Sequence, residues 1–155
     1  QFTVKTIGTV MTKDGGQQIE VLPAYREGLT ALEGFGHIQV LWWAHLCAAE
    51  ERDVLQLPQP YRGAPQTMGV LATRSPARPN PIGLSACGVL QVLPKEGIVL
   101  VDWLDTEDGT PVLDIKPYTP SADRVQNPQV PSWCAHWPTC IEESGNFDWG
   151  AEFLF

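Results

Sequence analysis

The sequence has few basic residues and no long apolar stretch. Its densest apolar run, residues 40–44, is far shorter than the roughly 20 residues of a membrane-spanning helix. The first residues also lack the apolar segment that directs secretion. Ten lysines and arginines stand against eighteen acidic residues, giving a net charge of −8. We therefore expect a cytoplasmic protein without a membrane span and without a uniformly basic face for nucleic acid.

Several well-known catalytic and phosphate-binding motifs are absent. There is no GxxxxGK[ST] loop, and the close pair Gly34 and Gly36 precedes a predicted strand instead of opening a helix. Neither a GxSxG nucleophile turn nor an HExxH zinc motif occurs. These absences argue against P-loop and Rossmann proteins and against the familiar hydrolases.

The cysteines do not form a disulfide or zinc pattern. A chain of 155 residues can bury a sufficient core without disulfides, so the four cysteines are expected to be thiols. Cys134, His136 and Cys140 only loosely resemble zinc ligands, because a second ligand pair is missing. We expect no metal.

Glycine and proline are abundant, with fourteen of each, which favours turns and short strands. Lys13-Asp14-Gly15-Gly16 predicts a hairpin turn, and one short helix is predicted over residues 24–34. Strands are predicted at residues 37–46, 82–92, 98–105 and 111–116, joined by tight turns. This order predicts an all-β, single-sheet antiparallel β-barrel with one or two short helices.

The expected domain organisation is one barrel followed by a tail. Residues 1–120 form the barrel in this prediction, with a proline-rich excursion at residues 48–66 that could cap a site. Residues 121–155 carry tryptophans and prolines without any period, which predicts an irregular C-terminal tail packed on the barrel. We expect no second domain.

One window of the sequence contains no acidic residue. Residues 54–95 include Arg62, Arg74, Arg78 and Lys95, whereas about five acids would be expected in a segment of that length. Within it, the prolines around Arg74 and Arg78 stiffen the loop and reduce the entropy lost on binding. Two interpretations stay open: an anion site built on a rigid loop, or a structural connector whose arginines pair with acids of the same fold.

A second cluster is acidic. Residues 102–111 hold Asp102, Asp105, Glu107 and Asp108, but the spacing does not fit a calcium-binding EF-hand loop. The cluster is either a solvated turn or a set of carboxylates and amides that binds a ligand's hydroxyls or positive charge.

The run GVLATRSPARPNPIGLS at residues 69–85 closely resembles the TsaA-like (YaeB, TrmO) family of S-adenosylmethionine-binding proteins. Shorter matches follow in order from residue 5 to about residue 120. They are Ile7-Gly8, LEGFGH at 32–37, Leu104-Asp105 and DGTPVLDIKPY at 108–118.

The resemblance implies a β-barrel that dimerises and uses S-adenosyl-L-methionine as methyl donor. In members that act on tRNA, it implies methylation of N6 of a modified adenosine beside the anticodon. The cofactor-binding positions that the resemblance implies are His45, Arg74, Ala86, Glu107, Asp108, Gly109 and Thr110. We assign Arg62, Arg78 and Asn80 to the acceptor substrate.

Some features of the longer family members are missing from this sequence. Residues 12–18 form a short predicted hairpin where those members carry a Pro-Arg-Gln segment, and no C-terminal RNA-holding domain is recognisable. The leading hypothesis is a methyltransferase acting on tRNA adenosine. A methyltransferase with a small-molecule acceptor and a non-catalytic S-adenosylmethionine-binding module are the alternatives. The sequence does not identify a catalytic base.

Overall fold

Six strands close into one antiparallel barrel in the order β1-β2-β7-β6-β3-β8, and two further strands, β4 and β5, pair separately. The computed structural model describes residues 1–155. The strands are β1 Gly8–Lys13, β2 Gly16–Val21, β3 His37–Trp43, β4 Gln56–Pro58, β5 Thr67–Gly69, β6 Ile82–Leu93, β7 Ile98–Val101 and β8 Pro111–Pro117. The predicted all-β barrel is confirmed.

The helices are all short, and none has the length and apolar character of a membrane-spanning helix. Two have α geometry, α1 Pro120–Asp123 and α2 Ile141–Ser144. The others are 3-10 helices at Pro23–Leu29, Leu32–Gly34, Ala49–Asp53, Val70–Ala72, Ser132–Cys134 and Trp149–Ala151. The single helix predicted over residues 24–34 is therefore replaced by two 3-10 helices, which are separated where Ala31 adopts a left-handed φ of 69°.

The barrel interior is filled by alternate strand residues. Val10, Ile19, Ile38, Val40 and Val99 are all fully buried. Each such aliphatic side chain stabilises the fold by about 1.5–3 kcal/mol relative to exposure. The alternation seen in the sequence thus builds a packed core.

The first hairpin forms where the sequence predicts it. Asp14 and Gly15 both have positive φ, 52° and 78°, which matches the right-handed twist of the two strands that they join. The register of β1 on β2 runs from Gly8 opposite Val21 to Lys13 opposite Gly16.

Two barrel strands end earlier than expected. β3 ends at Trp43, not at residue 46, because the next residue in register is Pro81, just before β6, which accepts the Ala44 amide at 2.8 Å but has no N–H to donate in return. β7 ends at Val101, because the Asp102 carboxylate accepts the backbone amides of Gly88 and Trp103, at 2.8 and 2.6 Å. A side chain thus takes the donors that a longer strand would pair.

The chain divides into two units. The first comprises Gln1–Ala49 with Asn80–Arg124, and the second comprises Glu50–Pro79 with Val125–Phe155. Nearly all of the excursion at residues 48–66 therefore lies outside the barrel unit, although the prediction placed it within the barrel range 1–120. Most of the predicted C-terminal tail belongs to the second unit together with the excursion. That residues 121–155 pack on the barrel stays a prediction.

Aromatic rings form the centre of the second unit. Tyr61 stacks on Trp133 at 5.5 Å and meets the edge of Trp137 at 5.4 Å. Trp149 lies 5.2 Å from Trp137 and stacks on Phe153 at 5.7 Å. Because these residues come from both segments of the unit, the rings hold the excursion to the C-terminal segment.

Candidate functional site

Strand register brings several predicted site residues to one end of the barrel. Trp43, the last residue of β3, pairs with Ile82, the first residue of β6. The preceding Trp42 pairs with Val112 near the start of β8. His45 follows β3, Asn80 precedes β6, and the turn at residues 107–110 leads directly into β8. These groups therefore share the same end of the first unit.

The acidic turn is fixed by its own hydrogen bonds. The Thr110 hydroxyl donates to the Glu107 carbonyl at 2.7 Å, and Thr110 is almost fully buried. Gly109 has a φ of 81° and donates its amide to Val10 at 2.8 Å. Asp108 Oδ1 accepts the Thr12 amide at 2.7 Å. Three of the predicted cofactor residues thus hold the turn against the first hairpin.

Other polar groups at this end have no partner within the protein. The side chains of His45, Asn80 and Glu107 are exposed and make no hydrogen bond. The Thr106 hydroxyl is buried and also makes none. An unpaired buried hydroxyl is costly, so it is a feature to expect where a ligand or water completes the structure. The end of the barrel therefore offers an exposed imidazole, amide and carboxylate for binding.

Ala86 lies away from this end. Ala86 lies in the middle of β6, where it pairs with Gln39 of β3. It is about 13 Å along the strand from Ile82, because each strand residue adds about 3.3 Å. Closer to the end, the Trp42 indole lies over Gly83 and donates to the Ser85 hydroxyl at 3.0 Å. A Cβ at residue 83 would overlap the indole, so the glycine makes room for the ring.

Arg74 and Arg78 lie in the proline-rich loop, in the second unit. The Thr73 hydroxyl accepts the Ser75 amide at 3.2 Å, and the Ser75 hydroxyl accepts the Ala77 amide at 3.2 Å. The Arg78 guanidinium donates to the carbonyls of Thr73 and Ser75 at 2.9 and 3.2 Å. Arg78 thus stiffens the loop that carries the exposed Arg74.

Arg62 also holds the backbone of the second unit. Its Nε donates to the Ala151 carbonyl at 2.8 Å, and its amide donates to the Glu152 carbonyl at 2.8 Å. Of the three residues assigned to the acceptor, Arg62 and Arg78 therefore have side chains with structural partners, whereas the side chain of Asn80 makes no hydrogen bond.

The buried thiol of Cys87 is not a nucleophile at neutral pH. Burial within β6, reinforced by the negative charge of Asp102, raises the pKa of Cys87 to about 12. A thiolate is the reactive form of cysteine, so this residue contributes packing to the barrel.

Sequence reasoning missed two polar features. Thr106 is uncharged and stands among acids, so no motif singled it out before its hydroxyl was found buried and unpaired. The pair His136–Glu152, at 2.8 Å, was also missed, because the two residues are sixteen positions apart and His136 was considered only as a metal ligand. In the structure, His136 Nε2 lies against the Glu152 carboxylate.

Similarity to known proteins covers most of the chain. An S-adenosyl-L-methionine-binding protein of Archaeoglobus fulgidus is 41% identical over 112 residues, covering 72% of this chain and 76% of that protein. A second protein of that organism is 42% identical over 114 residues, and the match covers 73% of this chain but only 29% of the longer relative.

The fold is also found in solved structures. The crystal structure of TrmO from Pseudomonas aeruginosa matches with a TM-score of 0.64 and 29% identity, covering 83% of this chain and 61% of that chain. Residues 7–124 match the model of the tRNA-methyltransferase O N-terminal domain. The chain therefore belongs to the tRNA-methyltransferase O N-terminal domain family.

Proposed function

We propose that this protein is an S-adenosylmethionine-dependent methyltransferase that methylates N6 of a modified adenosine in tRNA. Family membership and a relative named for binding S-adenosyl-L-methionine support the cofactor and the reaction class. The observation that carries the proposal is the barrel end at which His45 and the turn at residues 107–110 meet, with hydrogen-bonding groups that have no partner.

The groups at the barrel end fit the adenosine part of S-adenosylmethionine. Its ribose offers two hydroxyls, which suit the exposed Glu107 carboxylate. The imidazole of His45 and the amide of Asn80 each provide both a donor and an acceptor.

When bound, S-adenosylmethionine supplies an electrophilic methyl group on a sulfonium sulfur. The protein's task is to hold an amino nitrogen of the acceptor about 3 Å from that carbon and to exclude water. The hydrogen bonds of Asp108, Gly109 and Thr110 fix the turn before any ligand arrives, which reduces the entropy lost on binding. A carboxylate at Glu107 also favours a positively charged sulfonium nearby.

The cofactor assignment is tested by calorimetry with S-adenosylhomocysteine. Wild type should bind saturably, and Glu107→Gln should weaken binding by about three- to tenfold if the carboxylate accepts ribose hydroxyls. Glu96→Gln, the same change in the distant β6–β7 turn, is the control. No heat and no thermal shift at millimolar ligand would remove the support for a cofactor site, since a ligand at 100 times its Kd adds about 2.7 kcal/mol of stability.

A homodimer is the oligomeric state that we propose. The outer face of β3 and β6 leaves Ile82 and Leu84 exposed, at 42% and 45%, and Trp103 is 66% exposed. Exposed apolar groups of this size favour association. Trp133, Trp137 and Trp149 do not belong to this exposed set, because they pack against one another within the second unit. Sedimentation at micromolar protein concentration with cofactor present tests the homodimer, and a monomer would contradict the proposal.

The acceptor is tested by transfer of a labelled methyl group. Bulk tRNA lacking the modification should incorporate label at adenosine N6, and small-molecule extracts should not. Incorporation only into small molecules favours the second hypothesis. Confirmed cofactor binding without any turnover favours a non-catalytic binding module.

A further inference from the structure

A cleft of about 440 Å³ lies in the second unit, beyond residue 124 where the family match ends. Three rings line it, those of His136, Trp137 and Phe147. Glu143 and Asn146 line it as well, and both are exposed. The cleft thus combines aromatic surface with oxygen-bearing side chains.

The rings of the cleft are held in place before any ligand arrives. Trp137 Nε1 donates to Glu152 at 3.1 Å, and His136 Nε2 lies 2.8 Å from the other oxygen of the same carboxylate. Phe147 packs edge-on against Trp149 with ring centres 4.7 Å apart. Because these contacts fix the ring planes, a ligand that stacks on them loses little entropy to ordering the protein.

No lysine or arginine lines the cleft. Residues 125–155 contain no lysine and no arginine. Glu143 Oε2 accepts from the amide and hydroxyl of Thr139 at 3.3 Å each, and its Oε1 has no partner. If His136 donates Nε2–H to Glu152, its Nδ1 is an acceptor. Carboxylate oxygen, ring nitrogen and the faces of aromatic rings all favour a cation that donates hydrogen bonds.

We propose that this cleft binds the guanidinium group of an arginine side chain presented by another polypeptide. A guanidinium is planar, stacks on aromatic rings and donates several hydrogen bonds in its plane, which suits rings and carboxylate together. An anion would meet the Glu143 carboxylate with no lysine or arginine in the lining to offset it. A lysine ammonium carries the same charge but cannot stack, and it holds its water more strongly.

The test follows the indole N–H signal of Trp137 by NMR during titration with acetyl-Ala-Arg-Ala-amide. The matched control is the peptide with citrulline in place of arginine, which keeps the shape and removes the charge. The arginine peptide should give a saturable shift, and citrulline should bind at least about fivefold more weakly, within the range of cation–π energies. No saturable shift, or equal binding of the two peptides, would overturn the proposal.

Two isosteric variants locate the site. Glu143→Gln should weaken arginine-peptide binding by about threefold, the effect of one exposed ion pair. Glu142→Gln makes the same charge change one residue away, outside the cleft lining, and should leave the affinity unchanged. Equal losses in both variants would show attraction by general acidity and would contradict the proposed cleft. Both substitutions are at exposed residues, and the dispersed indole signals report that the fold is kept.

A third titration uses agmatine, a free guanidinium compound without a peptide backbone. Tighter binding of the peptide than of agmatine supports a polypeptide partner. Equal affinity would overturn that part of the proposal and identify a small guanidinium compound as the ligand.

Discussion

The carboxylate of Glu152 is the most connected polar group of the second unit. It is 7% exposed and meets both His136 and Trp137, while its backbone carbonyl accepts the Arg62 amide. The hydrogen bonds from His136 and Trp137 lower the pKa of Glu152, and the positive charges of His136 and Arg62 add to this against the opposing effect of burial. A group with a lowered pKa binds fewer protons in the folded state than in the unfolded state.

This difference predicts how stability depends on pH. The contribution of Glu152 to the free energy of unfolding is fully present above the ordinary glutamate pKa. It is lost as the pH falls through the lowered pKa that Glu152 has in the folded state. The urea midpoint of the wild type should therefore fall more steeply between pH 6 and pH 3 than that of Glu152→Gln. Glu33→Gln, an exposed glutamate without a described partner, should keep the wild-type slope. Parallel curves for wild type and Glu152→Gln would contradict this account.

Gly83 is required for its lack of a side chain. A Cβ there would overlap the Trp42 indole, which is held by its bond to Ser85. Gly83→Ala should cost about 1–3 kcal/mol of unfolding free energy, the usual effect of overpacking. Gly28→Ala, where a Cβ meets nothing within 4 Å, should change stability by less than about 0.5 kcal/mol. Urea unfolding measures the stability of both variants. Equal stabilities of Gly83→Ala and Gly28→Ala would show that the indole moves aside freely.

At the scale of elements, one side chain and two backbone hydrogen bonds join the acidic turn to the first hairpin. Asp108 Oδ1 accepts the Thr12 amide, while Gly109 bonds to Val10. Asp108→Ala removes the acceptor and should speed exchange of the Thr12 amide by about fivefold, equivalent to about 1 kcal/mol. Asp108→Asn keeps an oxygen in the same place and should change the exchange much less.

The functional consequence is measured on the same two variants. If Asp108 acts by positioning the turn, affinity for S-adenosylhomocysteine should fall in Asp108→Ala and largely survive in Asp108→Asn. Equal loss in both would indicate that the carboxylate charge contacts the cofactor directly. Unchanged Thr12 exchange in Asp108→Ala would contradict the structural role.

Local signals predicted the strands and turns of the barrel well. Asp14-Gly15 and the alternation of β6 depend on neighbours in the sequence, so both could be recognised without the structure. The early end of β7 could not, because Asp102 replaces strand pairing through a carboxylate that bonds to Gly88, fourteen residues away. The loop for which an anion site was predicted is held by hydrogen bonds from Arg78 that the sequence did not reveal.

The same limit applies to the candidate site. His45 and Glu107 were identified through family resemblance, and register later placed them at one barrel end. Composition alone could not show that Arg62 and Arg78 donate to backbone carbonyls, because those acceptors are set by tertiary folding. An arginine in an acid-free window can therefore be structural and still contribute a positive field.

At the scale of the whole molecule, charge constrains the acceptor. A net charge of −8 opposes nucleic acid, and the acid-free window at residues 54–95 supplies four cations. Binding of RNA through these cations releases counterions, so affinity must fall with salt. The expected docking is weak, because few phosphates can be neutralised and the wider surface repels the rest.

The salt dependence of tRNA methylation therefore has a predicted upper limit. With at most four contacts, the slope of log(kcat/KM) against log salt should be no steeper than about −3.6, since each phosphate contributes about −0.9. Arg74→Gln removes one cation and should reduce the slope by about one contact. Lys5→Gln, outside the window, should not change it. A slope near zero in the wild type would contradict RNA docking through the window and favour a small acceptor, whose binding releases few counterions.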